Sequence, residues 1–259
     1  MLDEIVMTKE REVEEAKTRI PFEDLRARVK SHFAERDFRK AISVPGKLSL
    51  IAELKRKSPS KGMLRERFDP VRLGQEMQEA GAAALSVLTD ECYFGGHLEF
   101  LRDVKNFTEI PVLRKDFIVD PYQIYEAAAA GADAVLLIVR ILREDVLVQC
   151  MQAADEAGIE PIVEVHSETD LKVALRVGTR IIGINHRDLR TFQLHPTITD
   201  ELVPKVPAGK IIVAESGIQS AEGVQLMKRL GVHAILVGEA LMTAPDPSAK
   251  IKELFAGTW

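Results

Sequence analysis

From Leu48 onward, short apolar runs alternate with longer stretches whose apolar residues recur at three- and four-residue spacing. A short, near-continuous apolar run is what a parallel strand buried on both faces looks like. The longer spacing marks a helix with one face on a core. The pattern predicts strands over residues 48–55, 84–89, 112–116, 134–139, 161–165, 181–185, 211–215 and 234–237. Helices are expected between them over 70–80, 97–105, 121–130, 143–157, 168–177, 197–203, 220–230 and 247–255. Several helices run into a glycine just before the next strand: Gly81, Gly131, Gly158, Gly178 and Gly231. Glycine there supplies the left-handed backbone that stops a helix, so these positions punctuate a repeating unit.

Eight such units within 259 residues place the chain in the α/β class. They point to a closed parallel barrel, the (β/α)8 TIM barrel, which takes about 250 residues. An open doubly wound sheet is the alternative. No Gly-x-Gly-x-x-Gly follows the first strand, which counts against it. The beginning of the chain reads differently. Leu2, Ile5, Val6, Val13, Ala16 and Ile20 keep a partly helical spacing, Pro21 breaks it, and a second helix is expected over 22–33. Residues 1–45 are read as a helical extension of one barrel domain spanning 1–259.

Composition excludes several classes. With 46 % hydrophobic and 29 % charged residues, the chain can build a large core and does not have a disordered composition. A net charge of −5 gives no support to nucleic-acid binding, where a basic stripe is expected. An anionic small molecule stays open, because local charge decides that. Cys92 and Cys150 fall in an expected loop and helix and read as free thiols of a reducing compartment. The opening Met-Leu-Asp-Glu-Ile-Val lacks the apolar run of a signal peptide. Residues 134–142 are too short to cross a bilayer and contain Arg140. A cytoplasmic protein with no membrane or nucleic-acid partner is expected, monomeric on the simplest reading, with an oligomer left open.

The chemistry lies in the strand ends. Ile-Ala-Glu53-Leu-Lys55, Val-Leu-Arg-Lys115-Asp-Phe, Ile-Val-Glu164-Val, Gly-Ile-Asn185-His-Arg187 and Val-Ala-Glu215-Ser-Gly217 each begin apolar and close on polar groups. Strand side chains alternate between faces. Glu53 and Lys55 therefore share a face, as do Asn185 and Arg187. In a barrel that face points inward at the C-terminal rim, where active sites of this fold sit. Lys115 and Glu164 join it in the expected register. The result is a ring of Lys55, Lys115 and Arg187 against Glu53, Glu164 and Glu215. Any one of these could be a solvated salt bridge, but six converging from separate segments are hard to sustain without use. Apposed lysines and glutamates in a half-buried rim suit acid–base work.

A second pattern suits phosphate. Glu215-Ser216-Gly217-Ile218 closes the seventh strand and Val237-Gly238-Glu239-Ala240 the eighth. Barrels of this kind often hold phosphate with the loops after those strands, where glycine allows close backbone approach and a helix start offers free N–H groups. Either glycine could equally be a plain turn residue. The basic segment after the first strand, from Arg56 to Leu64, exceeds the usual connection length. It reads either as a solvated loop or as a mobile cover whose Ser58 meets phosphate. His166 and His186 neighbour rim residues, and alternation turns His186 away from Asn185 and Arg187, so no catalytic role is expected for it. Neither a zinc-site spacing nor a Gly-x-Ser-x-Gly elbow is present.

Several stretches together resemble the indole-3-glycerol phosphate synthase family. They are Ile51-Ala-Glu-Leu-Lys-Arg-Lys-Ser-Pro-Ser-Lys-Gly62, Val112-Leu-Arg-Lys-Asp-Phe117, Ala132-Asp-Ala-Val-Leu-Leu-Ile138, Val163-Glu-Val-His166, Gly183-Ile-Asn-His-Arg-Asp-Leu189 and Ala214-Glu-Ser-Gly-Ile218. The similarity runs across essentially the whole chain. It implies a carboxy-lyase of tryptophan biosynthesis that closes 1-(2-carboxyphenylamino)-1-deoxyribulose 5-phosphate to indole-3-glycerol phosphate, releasing carbon dioxide and water. No metal or organic cofactor is implied. Carried onto this chain, Lys115 resembles the general acid of ring closure. Glu164 and Lys55 resemble the groups of the later proton transfers, positioned by Glu53 and Asn185. Arg187 is implied to face the anthranilate carboxylate and Glu215 the sugar hydroxyls. Ser58, Ser216, Gly217, Gly238 and the backbone of Glu239 are implied to hold phosphate. Phe94, Phe117, Leu136, Ile138, Leu189 and Leu236 are implied to form the apolar wall around the aromatic ring. The family often has Asn where His186 stands. Spacing leaves open which lysine is the acid in dehydration.

Two rivals remain at this stage. A phosphoribosylanthranilate isomerase would build its acid–base pair from a Cys and an Asp rather than from Glu53, Lys55 and Lys115. A non-catalytic phosphate binder would keep the glycines and lose the lysines, and both are present.

Overall fold

The computed structural model describes residues 1–29 and 36–259. Eight parallel strands close into a barrel in chain order: Ser49–Leu54 (β1), Ala84–Leu88 (β2), Val112–Lys115 (β3), Ala134–Ile138 (β4), Glu160–Val165 (β5), Ile181–Asn185 (β6), Ile211–Glu215 (β7) and Ala234–Val237 (β8). Strand β1 pairs with β2 on one side and with β8 on the other, which completes the ring. The (β/α)8 barrel expected from the pattern is therefore the fold, and strand boundaries fall within a residue or two of the expected ones.

Parallel strands need helical crossovers, and helices Pro70–Glu79, Leu98–Phe107, Tyr122–Ala129, Glu144–Ala157, Glu168–Arg176, Ile198–Leu202 and Ala221–Arg229 supply them, with Pro247–Leu254 following the last strand. Their starts are set by side chains. Asp69, Ser167, Ser220 and Asp246 each accept the backbone N–H three residues on, which satisfies a donor the helix leaves open. Their ends are set as the sequence reading expected: Gly81, Gly131, Gly158, Gly178 and Gly231 all have positive φ. The extension contributes α1 (Leu2–Arg19), α2 (Phe22–Val29) and a short third helix, Phe38–Ile42, that the pattern did not signal. The second helix was expected to reach residue 33, and its last part lies outside the described residues. No described helix is long and apolar enough to cross a membrane.

Alternation along each strand separates two cores. Leu50, Ala52, Val135, Leu137, Val163 and Ile235 face the helices. Ile51, Leu113, Leu136, Ile162, Ile181, Val213 and Leu236 fill the barrel, so its interior is packed side chain and not a pore. The same alternation brings Glu53, Lys115, Glu164, Asn185 and Glu215 inward at the C-terminal end. Register then makes neighbours of them, with Ile138 beside Glu164 and Asn185 beside Glu215.

Gly183 in β6 faces inward among these groups. A Cβ there would lie 2.4 Å from Glu215 Oε1 and 3.1 Å from Ile162 Cγ2, closer than packed atoms tolerate. The missing side chain is the space that the Glu215 carboxylate occupies. Gly183→Ala is expected to cost about 1–3 kcal/mol by overpacking, or roughly 2–10 °C in Tm. Adding Glu215→Ala should recover much of that loss in thermal melts. Losses that simply add would show that the carboxylate is not what the glycine accommodates.

Candidate active site

The C-terminal end of the barrel opens into a cavity. Lys55, Lys115, Glu53, Glu164 and Asn185 line it from β1, β3, β5 and β6, and Arg187 joins them from the loop after β6. Phe94, Phe117, Leu136, Ile138, Leu189 and Leu236 form apolar walls, and Ser58, Ser216, Gly217, Gly238 and Glu239 close another side. The one residue named from sequence that does not line the cavity is Glu215. Its side chain is 1 % exposed, as is that of Glu164, and it lies against Lys115.

Lys115 Nζ lies 3.6 Å from Glu215 Oε2 and 3.7 Å from Glu53 Oε2. Lys55 Nζ donates to Glu53 Oε1 at 2.5 Å. Burying a lone charge here would cost several kcal/mol, so the charges must be counted. Burial alone would strip the proton from Lys115, but Glu215, Glu53 and Glu164 outweigh it and hold the ammonium well above the usual lysine value. Glu53 is the reverse case: burial raises its carboxyl, and Lys55 and Lys115 more than compensate, leaving it below the usual range.

Three carboxylates facing two ammoniums leave one negative charge too many. Burial and the neighbouring Glu164 push Glu215 up to about 8. Burial also raises Glu164, against the pull of Lys115 and a hydrogen bond from Asn185. Two buried carboxylates this close repel each other, so ionising one disfavours ionising the other. Burial and mutual repulsion thus raise the proton affinity of this pair, and Glu164 is the member that lines the cavity. Nε2 of His166 stands 3.3 Å from Glu164 Oε1. Burial, aided by Arg140, lowers that imidazole to about 4, so it adds no charge.

The loops after β6, β7 and β8 are braced from behind. His186 points away from the cavity, as alternation required. Its Nδ1 donates to the carbonyl of Ser216 at 2.8 Å, and its Nε2 accepts from the Thr199 hydroxyl at 2.6 Å. This holds Ser216 and Gly217 in left-handed backbone, with φ 67° and 75°. That conformation strains Ser216, and its persistence at a binding loop fits a built turn. Gly238 ends β8 where a Cβ would lie 2.2 Å from Glu53 Oε1. Its smallness therefore serves Glu53 as well as any ligand. Directly after it a four-residue helix, Glu239–Met242, opens toward the cavity. The segment after β1 is not a simple loop. Lys57–Ser58 pairs antiparallel with Gly62–Met63, and Ser58, Pro59 and Ser60 cover the cavity. Arg187 donates to Glu239 Oε2 at 3.2 Å and to the carbonyl of Phe192 at 3.1 Å, which ties two of these loops together.

Sequence reasoning missed Leu88, Asp116, Phe192 and Gln219 of the lining. Phe192, non-glycine and left-handed with φ 59°, carries no local signal of its position. Asp116, next to Lys115 in sequence, could have been noticed as a charge following a charge.

The fold and this rim define the class: a (β/α)8-barrel enzyme with an acid–base constellation at the C-terminal face. Solved structures confirm the architecture. A 3-hexulose-6-phosphate synthase from Salmonella typhimurium superposes with TM-score 0.65 over 80 % of this chain and 96 % of its own, at 17 % identity. The family follows from sequence. The model of indole-3-glycerol phosphate synthase matches residues 2–254, and the chain belongs to that family. Proteins named indole-3-glycerol phosphate synthase from Carboxydothermus hydrogenoformans and Campylobacter hominis are each 44 % identical to it. The first spans 98 % of this chain and 99 % of its own length, the second 98 % of both.

The raised carboxyl of Glu215 has a measurable consequence. A carboxyl raised on folding keeps its proton after the unfolded chain has lost its own, so stability falls as pH rises between the two values. For Glu215 the window runs from about 4.5 to about 8. Glu215→Gln removes that penalty. The Tm of the variant minus that of the parent should therefore grow from pH 5 to pH 8. A difference that stays flat would mean Glu215 is ionised throughout.

Proposed function

We propose that this cavity binds 1-(2-carboxyphenylamino)-1-deoxyribulose 5-phosphate and converts it to indole-3-glycerol phosphate, carbon dioxide and water. Membership of the family over nearly the full length carries the reaction. One observation carries the assignment of the site: a buried ammonium, Lys115, stands among carboxylates in front of an apolar wall.

Ring closure attaches an aryl carbon to the ribulose carbonyl carbon, and negative charge develops on the carbonyl oxygen. A preorganised cation stabilises that charge in a site where water is scarce. Lys115, kept protonated by its three glutamates, is such a cation and can pass its proton to the oxygen. Glu215 and Glu53 then act on the substrate through Lys115. Loss of carbon dioxide returns electrons to the ring. Dehydration then needs an acid for the departing hydroxyl and a base for the proton whose loss restores aromaticity. Lys55 stands at the rim as an acid. Glu164, its proton affinity raised by burial, suits the base. Asn185 orients Glu164.

The aromatic ring is assigned to the wall of Phe94, Phe117, Leu136, Ile138, Leu189 and Leu236. The phosphate is assigned to Ser58, Ser216, Gly217 and the turn from Gly238 to Glu239, which line the same cavity. Arg187, already engaged by Glu239, is placed on the side of these loops, where it can meet an anion of the substrate.

Formation of the indole chromophore, followed by fluorescence, tests the reaction. Lys115→Ala should lower kcat by about 10²–10⁴-fold with substrate binding still measurable; near-normal turnover would remove Lys115 from this role. The two glycines should separate. Gly217→Val is expected to raise KM by crowding the anion. Gly238→Ala is expected to lower kcat as well, because its methyl group would displace Glu53. If both changed KM alone, Gly238 would belong only to the anion site.

A further inference from the structure

Helix α1 enters the catalytic end of the barrel through one buried ammonium. Lys9 is 4 % exposed, and its Nζ lies 3.0 Å from Asp116 Oδ1, 3.1 Å from Asp90 Oδ2 and 2.8 Å from Glu12 Oε2. Both aspartates pass the contact on to backbone. Asp90 Oδ1 accepts the N–H groups of Tyr93 and Phe94 at 2.7 and 3.0 Å. Asp116 Oδ1 accepts the N–H of Phe117 at 2.8 Å, and its Oδ2 accepts from the Thr89 hydroxyl at 2.6 Å. Phe94 and Phe117 pack against each other, with ring centroids 5.9 Å apart, and both line the cavity. The same helix adds two further ties. Thr8 Oγ1 is 3.0 Å from the Tyr93 hydroxyl, and Leu2 and Ile5 are buried in the cluster that contains Phe117.

We infer that Lys9 is a positioning residue, and that through Asp90 and Asp116 the N-terminal helix sets the two phenylalanine rings that seat the aromatic part of the substrate. The inference rests on the proposed reaction for the identity of that ring. Its physics is independent of it. Two carboxylates facing one buried point repel each other unless a cation sits between them. Without Lys9 each would turn toward water or take up a proton, and each would loosen its hold on a backbone N–H. The two sides are unequal. Arg114 also reaches Asp116, with Nη2 at 3.2 Å, whereas at Asp90 the cation is Lys9. Phe94 therefore depends on Lys9 more than Phe117 does. Lys9 and Asp90 do not line the cavity, so neither touches substrate.

The test separates the ring from the phosphate. Anthranilate binding is followed by the ligand's own fluorescence and inorganic phosphate binding by calorimetry; neither needs turnover. Lys9→Met is expected to weaken anthranilate roughly tenfold, about the worth of a well-placed aromatic contact, and to leave phosphate unchanged. With the full substrate, KM should rise far more than kcat falls. Lys9→Arg should restore part of the anthranilate affinity. Because Lys9→Met strands a buried carboxylate, the double variant Lys9→Met, Asp90→Asn is measured beside it. Asparagine keeps the acceptor for Tyr93 and Phe94 without the charge, so this variant should fold and bind anthranilate better than Lys9→Met. Unchanged anthranilate affinity in both variants overturns the inference, as does an equal weakening of anthranilate and phosphate. An enzyme that binds anthranilate in this Lys9-dependent way but forms no indole would overturn the proposed reaction and leave the positioning role standing.

Discussion

Everything at the catalytic end depends on a charge count inside a low-dielectric space. Glu53, Glu164 and Glu215 point at Lys55 and Lys115 where almost no water reaches them. No member of that set could be buried alone, because an unpaired ion in such a place costs several kcal/mol. Together they offset one another, and the surplus of carboxylates raises the proton affinity of Glu164 and Glu215. A structural requirement thereby becomes a chemical resource. The lysine is kept charged, one glutamate is kept ready for a proton, and both conditions come from the same packing.

The barrel makes that packing possible by leaving room at chosen places. Gly183 and Gly238 are interior positions whose absent side chains are filled by the carboxylates of Glu215 and Glu53. Below them the layer of Ile51, Leu113, Leu136, Ile162, Ile181 and Val213 gives a rigid apolar floor. Charges set on such a floor cannot relax by sinking further. Around the rim, connections from behind fix the loops: His186 to Ser216, Arg187 to Glu239, and Lys9 to Asp90 and Asp116. Rigid strands carry the acid–base groups and braced loops carry the binding groups, the division of labour expected of this architecture.

Much of this was legible in the chain. Alternating apolar runs and helix-ending glycines are local signals, and each acts over a few residues. The eight units, their order and most boundaries therefore read correctly. The strand-end lysines and glutamates were visible for the same reason, since a charge at the end of an apolar run is conspicuous. Glu215 was visible too, but its placement was not. Whether an inward side chain lines the cavity depends on neighbouring strands, and here on a glycine in β6. Gly238 read as a loop glycine because nothing local reveals that Glu53, far away in sequence, lies against it. Phe192 and the short helices Phe38–Ile42 and Glu239–Met242 were missed because they have no periodicity of their own.

The sequence by itself determined the repeating unit, the closure class and the identity of the chemical groups, because backbone propensity and side-chain alternation act locally. Only the tertiary structure decided which of those groups touch, which carboxyls burial raises, and that Lys9 in the first helix reaches the loops of Phe94 and Phe117. Those outcomes depend on distances between residues remote in the chain, and on exclusion of water once the barrel has closed.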